Sequence, residues 1–194
     1  MFKLALTGGI ACGKSLTGKI MAQSGIPVCE ADQIGHSVLK EDESVRNAVV
    51  REFGATVLAP DGTIDRATLG RMVFADPSRL ARLNALTHPA IMRRINDWVQ
   101  AQTADCVAVI IPLLYEIGAE KGWDGVVCVA APEADQLRRL TERGLSPVEA
   151  KARIDAQLSL AMKMEQADYV IYNGGSQTVL EEQVKQVLRS IRGD

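Results

Sequence analysis

One short segment constrains this chain more than any other. Gly8-Gly9-Ile10-Ala11-Cys12-Gly13-Lys14-Ser15 fits the pattern G-x-x-x-x-G-K-[ST]. It follows the apolar run 2–7, which predicts a strand, and precedes residues 16–24, whose apolar spacing predicts a helix. Glycines at Gly8 and Gly13 allow backbone N–H groups to converge on phosphate oxygens, in line with the positive end of that helix. We therefore predict a phosphate-binding loop; the alternative is an ordinary glycine turn.

The last two residues of the pattern carry charge and coordination chemistry. In such a loop Lys14 places a point charge on the β- and γ-phosphates, and the Ser15 hydroxyl is offered to Mg²⁺. The sequence therefore predicts nucleoside triphosphate binding with Mg²⁺ as the accompanying ion.

Further apolar runs predict the rest of the sheet. They cover residues 26–29, 106–111, 126–130 and 169–172, with helical patterns between them. This alternation predicts a doubly wound α/β fold of the P-loop type, with a parallel sheet of about five strands. The nucleotide-binding core is assigned to residues 1–31, 104–141 and 168–194.

Two regions interrupt the alternation. Residues 32–103 carry helical patterns at 44–53, 66–74, 77–86 and 89–102, with a turn at Asp61-Gly62, and are interpreted as a helical insertion. Residues 142–167 begin a helix at the capping box Ser146-Pro147-Val148-Glu149. Six cations lie in or just before this second region, which is either a solvated helical hairpin or a mobile lid: Arg138, Arg139, Arg143, Lys151, Arg153 and Lys163.

Composition narrows the function. The chain of 194 residues has a net charge of −2, which gives no electrostatic basis for binding nucleic acid or an anionic membrane. It contains no signal-peptide pattern and no apolar stretch near the ~20 residues that span a bilayer. Free, buried thiols in a reducing cytosol are expected for the cysteines, namely Cys12, Cys29, Cys106 and Cys128.

A phosphate-binding loop alone does not distinguish kinases from GTPases or motor ATPases. The chain has no Asn-Lys-x-Asp guanine signature and is short for a motor. A small kinase needs an acid that orients the acceptor hydroxyl, and Asp32, after the second predicted strand, is the best candidate, although it could equally cap a helix. Glu116 follows the third strand and would reach the same edge, although it could instead be an acid at the start of a helix. His36 and His88 are weaker candidates, and Arg143 is either a surface charge or a lid cation on the phosphates.

An ordered series of motifs resembles the dephospho-CoA kinase family over nearly the whole chain. The segments are LTGGIACGKS, EADQIGH, LGRMVF, LNALTHP, IPLLYE, ERGLS…ARIDAQ and ADYVIYNGG. The resemblance implies transfer of the ATP γ-phosphoryl group to the ribose 3′-hydroxyl of dephospho-CoA, giving CoA and ADP. It also implies that residues 32–103 bind dephospho-CoA and that residues 142–167 form a lid.

The resemblance also implies site residues. Asp32, Lys14 and Arg143 would be catalytic, and Ser15 would contact the metal. Contacts with ATP would come from Gly8, Gly9, Ala11, Cys12, Gly13, Lys14, Ser15, Leu16 and Asn173, the last near adenine. Contacts with dephospho-CoA would come from Asp32, His88, Leu114, Glu116 and Gln157.

The chain departs from the family pattern at a few positions. Ala11 and Cys12 replace the usual Gly-Ser, Leu16 replaces a Thr, and Glu30 stands where Asp is common. Because a helix N-terminus lowers thiol pKa, we hypothesise that Cys12 is oxidation-sensitive.

The alternatives to a dephospho-CoA kinase are another small kinase of the nucleoside or shikimate type, or a nucleotide-binding switch without phosphoryl transfer. A cytoplasmic monomer or weak homo-oligomer is expected.

Overall fold

The computed structural model describes residues 1–74 and 76–193. The chain divides into two compact units, Glu30–Ala101 and a unit formed by Met1–Cys29 with the chain from Gln102 onward. The strands are β1 Phe2–Gly8, β2 Val28–Glu30, β3 Cys106–Ile110, β4 Gly125–Ala130 and β5 Tyr169–Tyr172. The helices are α1 Lys14–Gln23, α2 Ala31–Glu41, α3 Glu43–Phe53, α4 Arg66–Phe74, α5 Pro77–Gln100, α6 Glu133–Glu142, α7 Pro147–Asp155, α8 Leu160–Gln166 and α9 Gln177–Arg192.

The five strands form one sheet in the order β2-β3-β1-β4-β5. Strand β1 pairs in parallel with both β3 and β4, and β4 pairs in parallel with β5. The predicted parallel sheet and α/β fold are confirmed. Because the chain leaves β1 toward one edge and later returns to build the other, the carboxyl end of β1 lies at the switch point where such folds bind ligands.

Alternation along β1 directs side chains to the two faces of the sheet. Leu4 and Leu6 are completely buried in a cluster with residues of α1 and α9. Thr7 has the opposite parity, is also completely buried, and pairs in register with Cys128 of β4. Helix α8 packs near β1 and β4. The sheet is therefore buried on both faces, which explains why its strands are continuous apolar runs.

Strand β5 forms one edge of the sheet, and a side chain covers part of it. Gln183 of α9 accepts a hydrogen bond from the backbone N–H of Tyr172 at 2.8 Å and donates one to its carbonyl at 3.0 Å. Both backbone groups that a further strand would use at this position are therefore occupied.

The second unit is largely helical and has its own core. Buried side chains of α2, α3, α4 and α5 meet there, among them Val38, Val49, Leu69 and Ala90. The turn predicted at Asp61-Gly62 is present, and the Asp61 carboxylate accepts a hydrogen bond from the Thr63 backbone N–H at 3.0 Å.

The prediction of separate helices at 77–86 and 89–102 is wrong, because α5 runs continuously through Pro89. Pro89 lacks the N–H that would bond to the carbonyl four residues earlier, which normally ends a helix. Here the buried positions Thr87, Ala90 and Ile95 keep helical spacing across the proline. Packing of this face therefore outweighs one missing hydrogen bond.

Among the described residues, no helix combines the length and the apolar character needed to cross a bilayer. Strand β2 begins at Val28 rather than at residue 26. Pro27 directly precedes it and has no N–H to donate, although its carbonyl accepts a hydrogen bond from Ala108 of β3. All four cysteines are buried and free, as expected.

Candidate functional site

Two glycines shape the phosphate-binding loop at the end of β1. Gly8 has φ +140°, and a Cβ there would lie 2.1 Å from the Val129 carbonyl oxygen. Gly13 has φ +104°, and its Cβ would lie 2.2 Å from the Asn173 side-chain nitrogen. Neither position has room for any other residue, so the turn geometry predicted from the pattern is present.

Helix α1 begins directly after this turn, at Lys14. The Lys14 ammonium donates hydrogen bonds to the carbonyls of Gly8 at 3.1 Å and Gly9 at 2.8 Å. Helix α1, which lies entirely within the described part of the chain, has no acidic residue in its first turn. Ser15 and Leu16 are exposed in that turn. The positive end of the helix, the ammonium and an accessible hydroxyl therefore lie together, an arrangement suited to a phosphate chain.

Three side chains hold consecutive residues of the loop. Gln157 accepts a hydrogen bond from the Ile10 backbone N–H at 2.9 Å, and Arg139 donates to the Ala11 carbonyl at 3.0 Å. Asn173 donates to the Cys12 carbonyl at 2.8 Å. These contacts fix the loop from outside its own sequence.

Two of these three residues were predicted as ligand contacts. Asn173 is buried, with 8% of its surface exposed, and its carbonyl accepts a second hydrogen bond from Arg139 at 3.0 Å. Gln157 and Asn173 therefore contact the loop itself, and their roles toward dephospho-CoA and adenine stay predictions. Arg139 was not predicted at the site. Arg139 is partly buried, and its spacing of three residues from the buried Gln136 places both on one face of α6, which is the signal that could have identified it.

The lowered thiol pKa on which the oxidation hypothesis for Cys12 rested is not found, and oxidation sensitivity itself stays a hypothesis. The Cys12 thiol is completely buried in the core cluster beneath the loop. Burial raises the pKa of the Cys12 thiol and outweighs the opposing effect of the nearby Lys14 charge. The loop backbone therefore faces the phosphate site while this side chain packs inward as a small apolar group.

The segment after β3 is tied to the 142–167 region. Leu114 is completely buried, so its side chain presents no surface to a substrate. A Glu116 carboxylate oxygen lies 2.7 Å from the Lys163 ammonium and accepts a hydrogen bond from the Leu158 backbone N–H at 3.1 Å. A substrate contact from the Leu114 backbone and one from Glu116 stay predictions.

Lys163 and Ala150 are both completely buried, so the solvated-hairpin alternative for residues 142–167 does not extend to these two side chains, and the lid stays a prediction. The capping box at Ser146 and Glu149 is confirmed. Arg143 terminates α6 and is exposed just before α7 begins, where it stays a candidate lid cation.

The predicted acid lies in the second unit. Asp32 is exposed in the first turn of α2, directly after β2. Within this unit α2 packs on α5: the Cβ position of Gly35 lies 3.3 Å from Ile91. Asp32 lies three positions before Gly35, and His88 lies three positions before Ile91. Both are therefore about one helical turn from the contact between α2 and α5. Partial burial lowers the pKa of His88 and favours its neutral form.

Comparisons with known proteins identify the family of this chain. A family model for dephospho-CoA kinase matches residues 2–178. A dephospho-CoA kinase of Latilactobacillus sakei is 44% identical over 192 residues, covering 97% of this chain and 95% of the relative. A dephospho-CoA kinase of Anaeromyxobacter dehalogenans is 41% identical over 194 residues, covering 98% of this chain and 92% of the relative.

Solved structures give the same result. A protein from Thermus thermophilus is 34% identical with a TM-score of 0.86, covering 98% of this chain and 97% of that one. Dephospho-CoA kinase from Campylobacter jejuni is 30% identical with a TM-score of 0.73, covering 97% and 96% of the two chains. A shikimate kinase from Bacteroides thetaiotaomicron, 14% identical with a TM-score of 0.52, shares the fold alone. The near-complete match to the family model and the identity to its members together show that this chain belongs to the dephospho-CoA kinase family.

Proposed function

We propose that this protein transfers the γ-phosphoryl group of ATP to the ribose 3′-hydroxyl of dephospho-CoA, giving CoA and ADP. The chain belongs to the dephospho-CoA kinase family, and one observation in its structure carries the proposal. The loop shaped by Gly8 and Gly13 ends directly at Lys14 and the exposed Ser15, the first two residues of α1. Phosphoryl transfer depends chiefly on positioning and charge stabilisation, and this loop is suited to supply both.

Lys14 is assigned to the transferring phosphoryl group. Its ammonium contacts the carbonyls of Gly8 and Gly9, so it already lies against the loop, and phosphate oxygens entering the loop would compete for its protons. The backbone N–H groups of the first turn of α1 are proposed to stabilise the same charge. Arg143, exposed beside α7, is proposed to close over the phosphates with the 142–167 segment.

Asp32 is assigned to the acceptor hydroxyl. Its exposed carboxylate would accept the proton of the 3′-hydroxyl as the new P–O bond forms. Residues 32–103 are proposed to bind dephospho-CoA, a role supported by the independent core of the second unit. His88 would then contact the same substrate.

The Ser15 hydroxyl fits a Mg²⁺ ion that enters with ATP. It is exposed next to the loop, and Mg²⁺ in such sites takes few side-chain ligands and completes its shell with phosphate oxygens and water. The ion would neutralise charge that develops on the phosphates.

A coupled assay of ADP release with Mg²⁺-ATP and dephospho-CoA tests the proposal, with mass spectrometry of the phosphorylated product. Lys14→Ala should lower kcat by about 10²–10³-fold because a charge on the transition state is lost. Asp32→Asn should lower kcat by about 10²–10⁴-fold while ATP still binds. Asp105→Asn, an exposed acid directly before β3 and outside the proposed binding regions, is the matched control and should leave turnover unchanged.

Other outcomes have definite meanings. Phosphorylation of a nucleoside or of shikimate, with none on dephospho-CoA, would replace the proposed acceptor. Nucleotide binding without any phosphorylated product would indicate a switch. Near-normal turnover of Asp32→Asn would remove this residue from the catalytic role.

A further inference from the structure

Lys163 is a charged side chain in α8 with no exposed surface. Its ammonium lies 2.7 Å from a Glu116 carboxylate oxygen and donates a hydrogen bond to the Pro112 carbonyl at 3.2 Å. The Glu116 side chain is itself only 19% exposed. Because a buried ammonium is costly unless it is paired and hydrogen-bonded, these two contacts define where Lys163 must lie.

The Pro112 carbonyl connects Lys163 to the residue that precedes the phosphate-binding loop. The Pro112 carbonyl also accepts a hydrogen bond from the Thr7 hydroxyl at 3.3 Å. Thr7 is completely buried and directly precedes Gly8. One carbonyl therefore joins Lys163 to the last side chain before the loop.

The Glu116 carboxylate connects Lys163 to residues that contact the phosphate-binding loop. The Glu116 oxygen that pairs with Lys163 also accepts the Leu158 N–H at 3.1 Å. Leu158 follows Gln157, whose side chain accepts the Ile10 N–H at 2.9 Å. In addition, Leu160 packs against the core cluster that contains Cys12 of the loop, and one of its methyl groups would lie 3.5 Å from a Cβ placed at Gly9. Residues 157–160 thus contact the loop and are held by the same carboxylate as Lys163.

We propose that Lys163 is a positioning residue for phosphoryl transfer: its buried ion pair with Glu116 places residues 157–160 so that Gln157 and Leu160 fix the conformation of the phosphate-binding loop. The kinetic part of this inference rests on the proposed function. It also gives Glu116 and Gln157 roles that require no contact with dephospho-CoA.

A buried ion pair is a poor source of stability, because well-packed apolar residues can replace such a pair at little or no cost. Stability and positioning can therefore be separated. Lys163→Met leaves the Glu116 charge buried without its partner and should lower Tm. The double variant Lys163→Met, Glu116→Gln removes both charges, keeps an acceptor for Leu158, and should regain most of that loss.

The kinetic measurement is kcat and KM for both substrates in these variants. Both should lose kcat/KM for ATP by about tenfold or more, because small displacements of positioning groups are costly in rate. KM for dephospho-CoA should not change. Recovery of both Tm and kcat/KM in the double variant would overturn the proposal, and so would a rise confined to KM for dephospho-CoA.

Gln157→Leu provides a second route that leaves the buried pair intact. It removes the acceptor for Ile10 and should reproduce the loss in kcat/KM for ATP with little change in Tm. Added to the double variant it should cause little further loss, because both changes break one pathway. Wild-type kinetics in Gln157→Leu, or full additivity, would contradict the inference.

Lys185→Met is the matched control. Lys185 forms an ion pair with Glu182 at the same 2.7 Å separation, but on the exposed surface of α9. Its loss should change neither Tm nor kinetics appreciably.

ATP affinity is also measured by calorimetry without an acceptor. If the wild-type protein fails to phosphorylate dephospho-CoA, the proposed function is wrong. The role of Lys163 is judged separately: weaker ATP binding in the double variant would support it, and unchanged binding would refute it.

Discussion

Ala11 adopts a left-handed backbone conformation, with φ +57°, inside the phosphate-binding loop. This conformation costs an L-residue about 1–2 kcal/mol. Its methyl group packs in a small cluster with Leu140 and Ala150, and its carbonyl accepts the hydrogen bond from Arg139. The strain is therefore maintained by contacts that a glycine would only partly reproduce.

Ala11→Gly and Ala150→Gly should differ in their effect on stability. Each loses about 0.8 kcal/mol of buried methyl surface. At Ala11 relief of the backbone strain offsets this loss, so the free energy of unfolding should change by less than about 1 kcal/mol. At Ala150, within α7, glycine adds a helix penalty, and the total loss should be about 2 kcal/mol. Urea denaturation of both variants measures the difference, and equal losses would contradict the strain.

Residues near the phosphates could be predicted because their signal is local. Gly8 to Ser15 are contiguous, and the glycine positions follow directly from the curvature of the loop. Arg139 contacts a residue 128 positions away and Lys163 one 51 positions away, and no local pattern carries that information. Both belonged to a set of cations whose shared charge suggested a solvated surface.

The same distinction holds for whole elements. Helix α7 was located from Ser146 and Glu149, whose hydrogen bonds lie within the first turn. Helix α5 was divided in error, because Pro89 is a local stop signal and the packing that overrides it comes from other helices. Elements defined by their own ends are predictable, and elements held by distant partners are less so.

Pro89→Ala should stabilise the protein by about 1–3 kcal/mol, since alanine restores an N–H to the interior of α5 and suits a helix far better than proline. Pro77→Ala is the matched control. Pro77 is the first residue of the same helix, where no intrahelical hydrogen bond is lost, so little change is expected. Chemical denaturation measures both, and no gain at Pro89 would mean that its ring makes packing contacts of equal value.

Across the molecule, the titratable groups with strongly raised pKa values lie in or beside the sheet. Burial raises the pKa of Cys128 to about 11 and, with nearby acidic groups, that of Tyr115 to about 12. These groups stay protonated in the folded protein while the unfolded chain ionises. The free energy of unfolding is therefore unaffected by these groups at neutral pH and falls in alkali.

Between about pH 9, where the thiol ionises in the unfolded chain, and pH 11, the buried Cys128 should lower the free energy of unfolding by roughly 2–3 kcal/mol. The sign follows from the raised pKa: the contribution is intact below the unfolded value and disappears as pH rises toward the folded one. Cys128→Ala lacks this contribution. Its unfolding free energy should fall less steeply than that of wild type between pH 8 and 10.5, and parallel curves would rule out the assignment.

The side chains that hold the phosphate-binding loop have a consequence for the order in which the protein is made. Ile10, Ala11 and Cys12 leave the ribosome long before their partners, which follow 128 to 161 positions later. A nascent chain that ends before Asn173 cannot complete the loop, so ATP should give it little of the stability that ligand binding gives the finished protein. Completion of translation therefore sets the moment at which this protein can first compete for cellular nucleotide.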